Sequence, residues 1–320
     1  MISPRVRRAV SVLWALALVA LLVVAIRRMD VARLILTLRD AHLFWIACAA
    51  AAYATILPLW ALQWRILAPR VPRAEFPGML SVVALTSSAL NTSPLFVGEA
   101  TSVVLLVSRI GLSRSEALSV LAMDQVMVGI SKLGLLLAAG LMVTLPAWMH
   151  AGIATLAAGV IALVVASVLG AWYSGVIVSR AARVLPQRGA EFLAQMGVAL
   201  APLRSPVRSG LTLSLAFAKK FAEVIALICV QHAFGVHLPF AAAVLALAAI
   251  KMATLIPAVP ASLGVFEGAV VLAYVRFGVP AEQAVAMAIV QHATYFASLA
   301  LPGYAWLAGS GTSRRAAAAS

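Results

Sequence analysis

The sequence predicts an all-α polytopic membrane protein, with about six full spans and two broken, re-entrant helical hairpins related as an inverted repeat. Three observations predict it. Of 320 residues, 64% are apolar and 11% charged, and the mean hydropathy is +1.05. That balance leaves too little polar surface for folding in water. Apolar runs of about 20 residues, long enough for a helix to cross ~30 Å of hydrocarbon, recur along the chain. Two of the longest are interrupted at their centres by Pro, Gly and polar residues. The composition excludes a soluble enzyme with an apolar core, a disulfide-stapled secreted domain and a disordered binder. Cys48 and Cys229 lie within apolar runs and read as small buried hydrophobes. The net charge of +14 would suggest nucleic acid if the basic residues formed one face. They flank apolar stretches instead, so membrane lipids are the expected partner and nucleic acid is not.

The first span is read at 9–26, opened by Arg5, Arg7 and Arg8 and closed by Arg27 and Arg28. It has a signal peptide's layout, but its length and closing arginines favour a retained helix. Segment 31–42 mixes Leu and Ile with Arg33, Arg39 and Asp40 at helical spacing, which predicts a helix along the interface. A second span covers 43–62, with Trp45, Trp60 and Trp64 as interfacial anchors. Segments 76–107 and 239–275 are interrupted at NTSPLFVGE (91–99) and IPAVPASLGVFE (256–267), where Asn91, Pro94, Gly98, Pro257, Pro260 and Gly264 are the helix-breaking residues. Uninterrupted helices are expected at 115–145, 151–173, 210–234 and 281–308. If each interrupted segment enters and leaves on one face, six spans remain and both termini share a side.

Charge supports that layout. The stretches 1–8, 63–75, 109–114, 180–208 and 310–320 carry 15 Lys and Arg, against five on the other side: Arg27, Arg28, Arg33, Arg39 and Arg276. The positive-inside rule then puts both termini in the cytoplasm of a multi-pass, bacterial inner-membrane protein, the arginines of 27–39 being the blemish. One transmembrane domain, 1–310, precedes a polar tail, 311–320.

Self-comparison at an offset of 167 residues lays SRIGLSRSEALSVLAMDQ (108–125) over VRFGVPAEQAVAMAIVQH (275–292). Arg109 meets Arg276, Gly111 meets Gly278 and Ala117 meets Ala284. With one inserted residue, Pro94, Gly98 and Glu99 fall near Pro260, Gly264 and Glu267. Three spans separate the copies, so the second is inverted. Inverted repeats with discontinuous helices are an architecture of secondary transporters. Two ordinary kinked helices are the simpler alternative.

Ionisable side chains inside apolar segments cost about 2.5–3.5 kcal/mol each at a bilayer centre, so they must be paired, hydrated or near the interface. Glu99 and Glu267 sit beside the two breaks, where a cavity could hydrate them; alternatively each caps the half-helix it begins. Lys219 and Lys220 stand one turn before Glu223, which can neutralise one of them. The other could meet an anionic headgroup or snorkel to the interface. Asp124 and Lys132 share a helix face two turns apart. Lys251 precedes the second break, and His292 reads as a proton carrier or, more simply, a helix contact. No HExxH, Cys/His cluster, Walker loop or GxSxG appears, so neither metal, cofactor nor catalytic residue is expected.

The stretches 90–125 and 255–304 carry the Pro94-Gly98-Glu99 and Pro260-Gly264-Glu267-Gly278 elements, and with them the chain resembles the flippase-like transmembrane domain of lysylphosphatidylglycerol synthases, including stand-alone YbhN-like members, over about 10–308. The resemblance implies translocation of a polar-headed lipid: phospholipid, aminoacyl-lipid, hopanoid or glycolipid. The family commonly has Pro-Gly-Gly at Pro260-Ala261-Ser262, an arginine and a nearby acidic residue at Gln125 and Val128, and an arginine near His292, so the resemblance does not carry over the family's headgroup specificity. Synthase members add a soluble aminoacyltransferase domain that the 320 residues lack, so lysyl-lipid synthesis by this chain is not expected. In this reading Glu99 and Glu267 gate or protonate and Lys219 and Lys220 meet the anion. Its rivals are a membrane-embedded lipid-modifying transferase and an anchor for a soluble lipid-synthesis enzyme, with loop 180–208 as the contact.

Overall fold

The computed structural model describes residues 36–68, 75–93, 97–145, 149–165, 205–255 and 262–308. The expected span 9–26, most of loop 180–208, and Pro94, Pro257 and Pro260 lie outside the described residues. Those described are helical almost throughout: α1 (Leu43–Ala54), α2 (Ile56–Leu67), α3 (Phe76–Thr92), α4 (Val97–Leu105), α5 (Arg114–Met142), α6 (Met149–Val165), α7 (Pro206–Ala233), α8 (Phe240–Ala253), α9 (Val265–Val275) and α10 (Ala281–Leu299), which continues to Ala308 after a turn at Ala300. Among the described residues three helices are long and apolar enough to cross a membrane: Leu43–Leu67, Arg114–Met142 and Ala281–Ala308. Helix α7 has 28 residues but carries Lys219, Lys220 and Glu223 at its middle.

Both interrupted segments are broken where Pro, Gly and polar residues crowd. Helix α3 ends as Asn91 Nδ2 donates to Ser87 O (2.8 Å) and Thr92 Oγ1 to Ser88 O (2.7 Å), and Ser93 is extended ahead of Pro94. Helix α8 ends at Ala253. Helix α9 starts from Gly264 at φ +80°, a left-handed conformation that glycine adopts without steric cost. The halves do not continue as rods: α4 packs back against α3, and α9 against α8. At 1.5 Å per residue, the 14 residues of α8 span about 21 Å, short of the hydrocarbon thickness.

The 167-residue offset has a structural counterpart. Helix α5 starts at Arg114 and α10 at Ala281, and each follows a left-handed glycine, Gly111 at φ +85° and Gly278 at φ +83°. The segments aligned at that offset also contact each other's neighbours: α8 packs on α5, and α3 on α10. Ser88 Oγ donates to Ala300 O across the second of these junctions, and Thr92 Oγ1 meets Tyr304 Oη at 2.7 Å.

Helix α8 lies at the core of the described residues. Its sequence, FAAAVLALAAIKMA, is apolar on every face but for Lys251, and all of 242–250 is buried. It touches α5, α7 and α9. The arrangement carries Lys251, in the last turn of the helix, into the interior.

Candidate functional site: a charged cavity between the two broken segments

A cavity of about 660 Å³ opens where the ends of α3 and α8 face helices α2, α5, α6 and α7. Asn91 and Glu99 line it from the first break, and Thr254, Leu255 and Ser262 from the second. Its volume falls within the ~300–1,000 Å³ of small-molecule sites. Seven ionisable side chains reach it: Glu99, Asp124, Lys132, Lys219, Lys220, Glu223 and Lys251.

Helix geometry explains how they converge. Lys219, Lys220 and Glu223 fall within four residues of one another, about one turn of α7. Asp124 and Lys132, two turns apart, point the same way from α5, and Lys251 arrives from α8. Lys220 Nζ lies 2.7 Å from Glu223 Oε1, and Lys251 Nζ lies 2.6 Å from Glu223 Oε2. Lys219 turns to Asp124 instead, at 3.9 Å, and its ammonium stands 5.5 Å from the centre of the Trp60 ring. Lys251 also sits 5.9 Å from the centre of the Tyr295 ring, a distance at which a cation is attracted to the aromatic face. All of these paired side chains are at most 13% exposed.

Sequence spacing alone assigns Glu223 to Lys219 or Lys220. It cannot see Lys251, 28 residues further on, which shares the same carboxylate. Lys132 makes no ion pair among the described residues, and the Glu99 Oε2 atom is buried with no hydrogen-bond partner among them. Four ammonium groups therefore face three carboxylates, and buried charges left unpaired are strongly destabilising unless water or a ligand reaches them.

Glu267 and His292 are not among the residues lining this cavity. Glu267 Oε2 accepts the Gly264 N–H at 2.7 Å, which satisfies a free donor at the start of α9, and Oε1 lies 2.7 Å from His292 Nδ1 on α10. Phe266 stacks on the imidazole, with ring centres 4.3 Å apart. Glu267 thus combines a helix cap with a clamp between α9 and α10. The aligned positions of the first copy differ: Glu99 and Gln125 both line the cavity.

Of the predicted site residues, Glu99, Asp124, Lys219, Lys220, Glu223 and Lys251 are brought together, while Glu267 and His292 form a separate pair. Of the helix-breaking residues described, Asn91 lines the cavity, Gly98 lets α4 approach Leu90 and Gly264 begins α9. Trp60 and Trp64 are not interfacial anchors: Trp64 is fully buried in the protein, and Trp60 lines the cavity beside Lys219. Trp45 is partly exposed and lies against His232, with ring centres 4.9 Å apart. Tyr295 and Trp60 are site residues that sequence reasoning passes over, because an aromatic in an apolar helix carries no signal of a nearby cation. Ser262 stands at φ +52°, a left-handed position held by a residue other than glycine, where the resembled family commonly has glycine. Among the described residues no three His, Cys, Asp or Glu side chains gather as a metal site requires.

No curated protein and no solved structure matches the chain. Residues 11–303, most of its length, match the family described as the lysylphosphatidylglycerol synthase TM region, and the chain belongs to that family.

Proposed function

We propose that this membrane protein moves a polar-headed lipid between the leaflets of the bacterial inner membrane, with the two broken segments as re-entrant hairpins on either side of the path. The observation that carries the reading is the convergence of seven ionisable side chains, within otherwise apolar helices, on one cavity lined by both breaks. Charge inside an apolar bundle marks a path for polar cargo, because it is costly wherever it serves none. Lysines bind phosphate oxygens as point charges, and Glu99 offers a carboxylate with an atom still to be satisfied. The headgroup travels through the charged cavity while the acyl chains stay in lipid. With both termini cytoplasmic, the cavity alternates between the two faces as the hairpins shift.

The test is a leaflet-exposure assay in liposomes holding the purified full chain and a fluorescent phosphatidylglycerol. The protein should raise the rate at which the inner-leaflet probe becomes accessible to a quencher outside. Lys251→Met and Glu99→Gln should each lower that rate by about tenfold or more, as expected when one charge-assisted contact worth about 1.5–3 kcal/mol is lost. A wild-type rate equal to that of protein-free liposomes would overturn the reading.

A further inference from the structure

The charges in the cavity do not balance pair by pair. Among the described residues Glu223 is the carboxylate within ion-pair distance of two lysines, Lys220 at 2.7 Å and Lys251 at 2.6 Å, one on each oxygen. Its side chain is 6% exposed. Two ammonium groups that converge on one carboxylate also match the spacing of two oxygens on a phosphate or another oxyanion. An anionic headgroup can take that seat only by replacing Glu223.

We propose that Glu223 is a built-in competitor that determines which headgroups the cavity holds and for how long. It occupies the two-lysine seat while the cavity is empty, yields it to an incoming oxyanion, and expels that anion when it returns. The inference rests on the reading of the cavity as a lipid path. A carrier must bind its cargo strongly enough to admit it and weakly enough to release it. Two buried lysines with no internal counter-ion would hold an oxyanion too long. The surrounding charges fit this role. Lys219 stands 3.9 Å from Asp124, and Lys132 makes no ion pair among the described residues, so the cavity still attracts an anion while Glu223 is in place. A neutral sugar or sterol headgroup has no charge to exchange for that of Glu223 and leaves the seat closed.

The experiment measures binding of dihexanoyl phosphatidylglycerol, and of uncharged dihexanoyl glycerol, to the full chain in detergent by calorimetry. Leaflet exposure of a fluorescent phosphatidylglycerol is followed in parallel. Glu223→Gln should tighten binding of the anionic lipid by about ten- to a hundredfold, the loss of one charge-assisted competitor, and slow its transfer, with the uncharged lipid unaffected. Unchanged or weakened anionic binding would overturn the proposal. If that variant does not fold, Lys251→Gln is compared with Lys251→Gln/Glu223→Gln, where Lys220 remains in both and the competitor is the only difference at the seat. The double variant should bind the anion more tightly than the single one, and equal or weaker binding would overturn the proposal too. A wild-type protein that speeds transfer while Glu223→Gln changes neither binding nor rate removes only the competitor. A wild-type protein that neither binds nor transfers lipid removes the transport reading beneath it.

Discussion

A β-carbon on Gly98 would stand 2.7 Å from the Leu90 Cα and 2.6 Å from its Cδ2. Backbone cannot move aside as a flexible side-chain end can, so Gly98→Ala has to push α4 away from α3. Overpacking of this kind costs about 1–3 kcal/mol. We expect Gly98→Ala to lower the melting temperature in detergent, while Gly268→Ala, inside α9 where a β-carbon meets open space, leaves it unchanged or raises it slightly. Equal effects would show that the close approach is unimportant. Ser262 gives the opposite expectation. A left-handed conformation costs a residue with a β-carbon about 1–2 kcal/mol, partly offset by the greater freedom glycine has when unfolded. Ser262→Gly should therefore raise stability by up to about 1 kcal/mol, read as a higher melting temperature.

At the scale of elements, the two broken segments are held unequally. The second is clamped through Glu267 and His292, through Lys251 and Glu223, and through the Arg276 guanidinium, which donates to Thr144 O at 2.7 Å. The first has hydrogen bonds from α3 to the end of α10, but Glu99 on α4 makes none among the described residues. His292→Ala should cost about 1–3 kcal/mol of stability, the loss of a bond to a carboxylate, whereas Gln125→Ala at the aligned position should cost little. Similar losses in thermal unfolding would contradict this asymmetry. The breaks themselves were legible in sequence, because Pro, Gly and hydrogen-bonding Ser, Thr and Asn end helices by local chemistry. The starts of α5 and α10 were legible through the Arg-x-Gly repeat. The sharing of Glu223 between Lys220 and Lys251, and the turn of Lys219 towards Asp124, were not. They depend on how α5, α7 and α8 pack, and a single sequence contains no record of contacts between distant positions. Trp60 and Trp64 were misplaced for a related reason: an indole in an apolar helix suits an interface and an interior equally well until its neighbours are known.

For the whole molecule, the offset of 167 residues and the exchanged contacts of α8 with α5 and α3 with α10 suit two copies related by a two-fold axis in the membrane plane. Such an axis puts aligned residues on opposite faces. Single cysteines at Arg109 and Arg276, in a Cys48→Ser/Cys229→Ser background, should react with a membrane-impermeant maleimide from opposite sides of intact cells and inverted vesicles. Labelling of both from one side would rule out the inversion. Helix α8 sets a different kind of limit on the chain. A helix at the protein surface has one stripe where a larger residue can extend into lipid, so substitutions are tolerated with a period of 3.6. Residues 242–250 are covered all round, and no stripe is spared. A scan of bulky replacements along that stretch should find every turn equally sensitive, which makes its short alanine-rich run the part of the sequence with least room to vary.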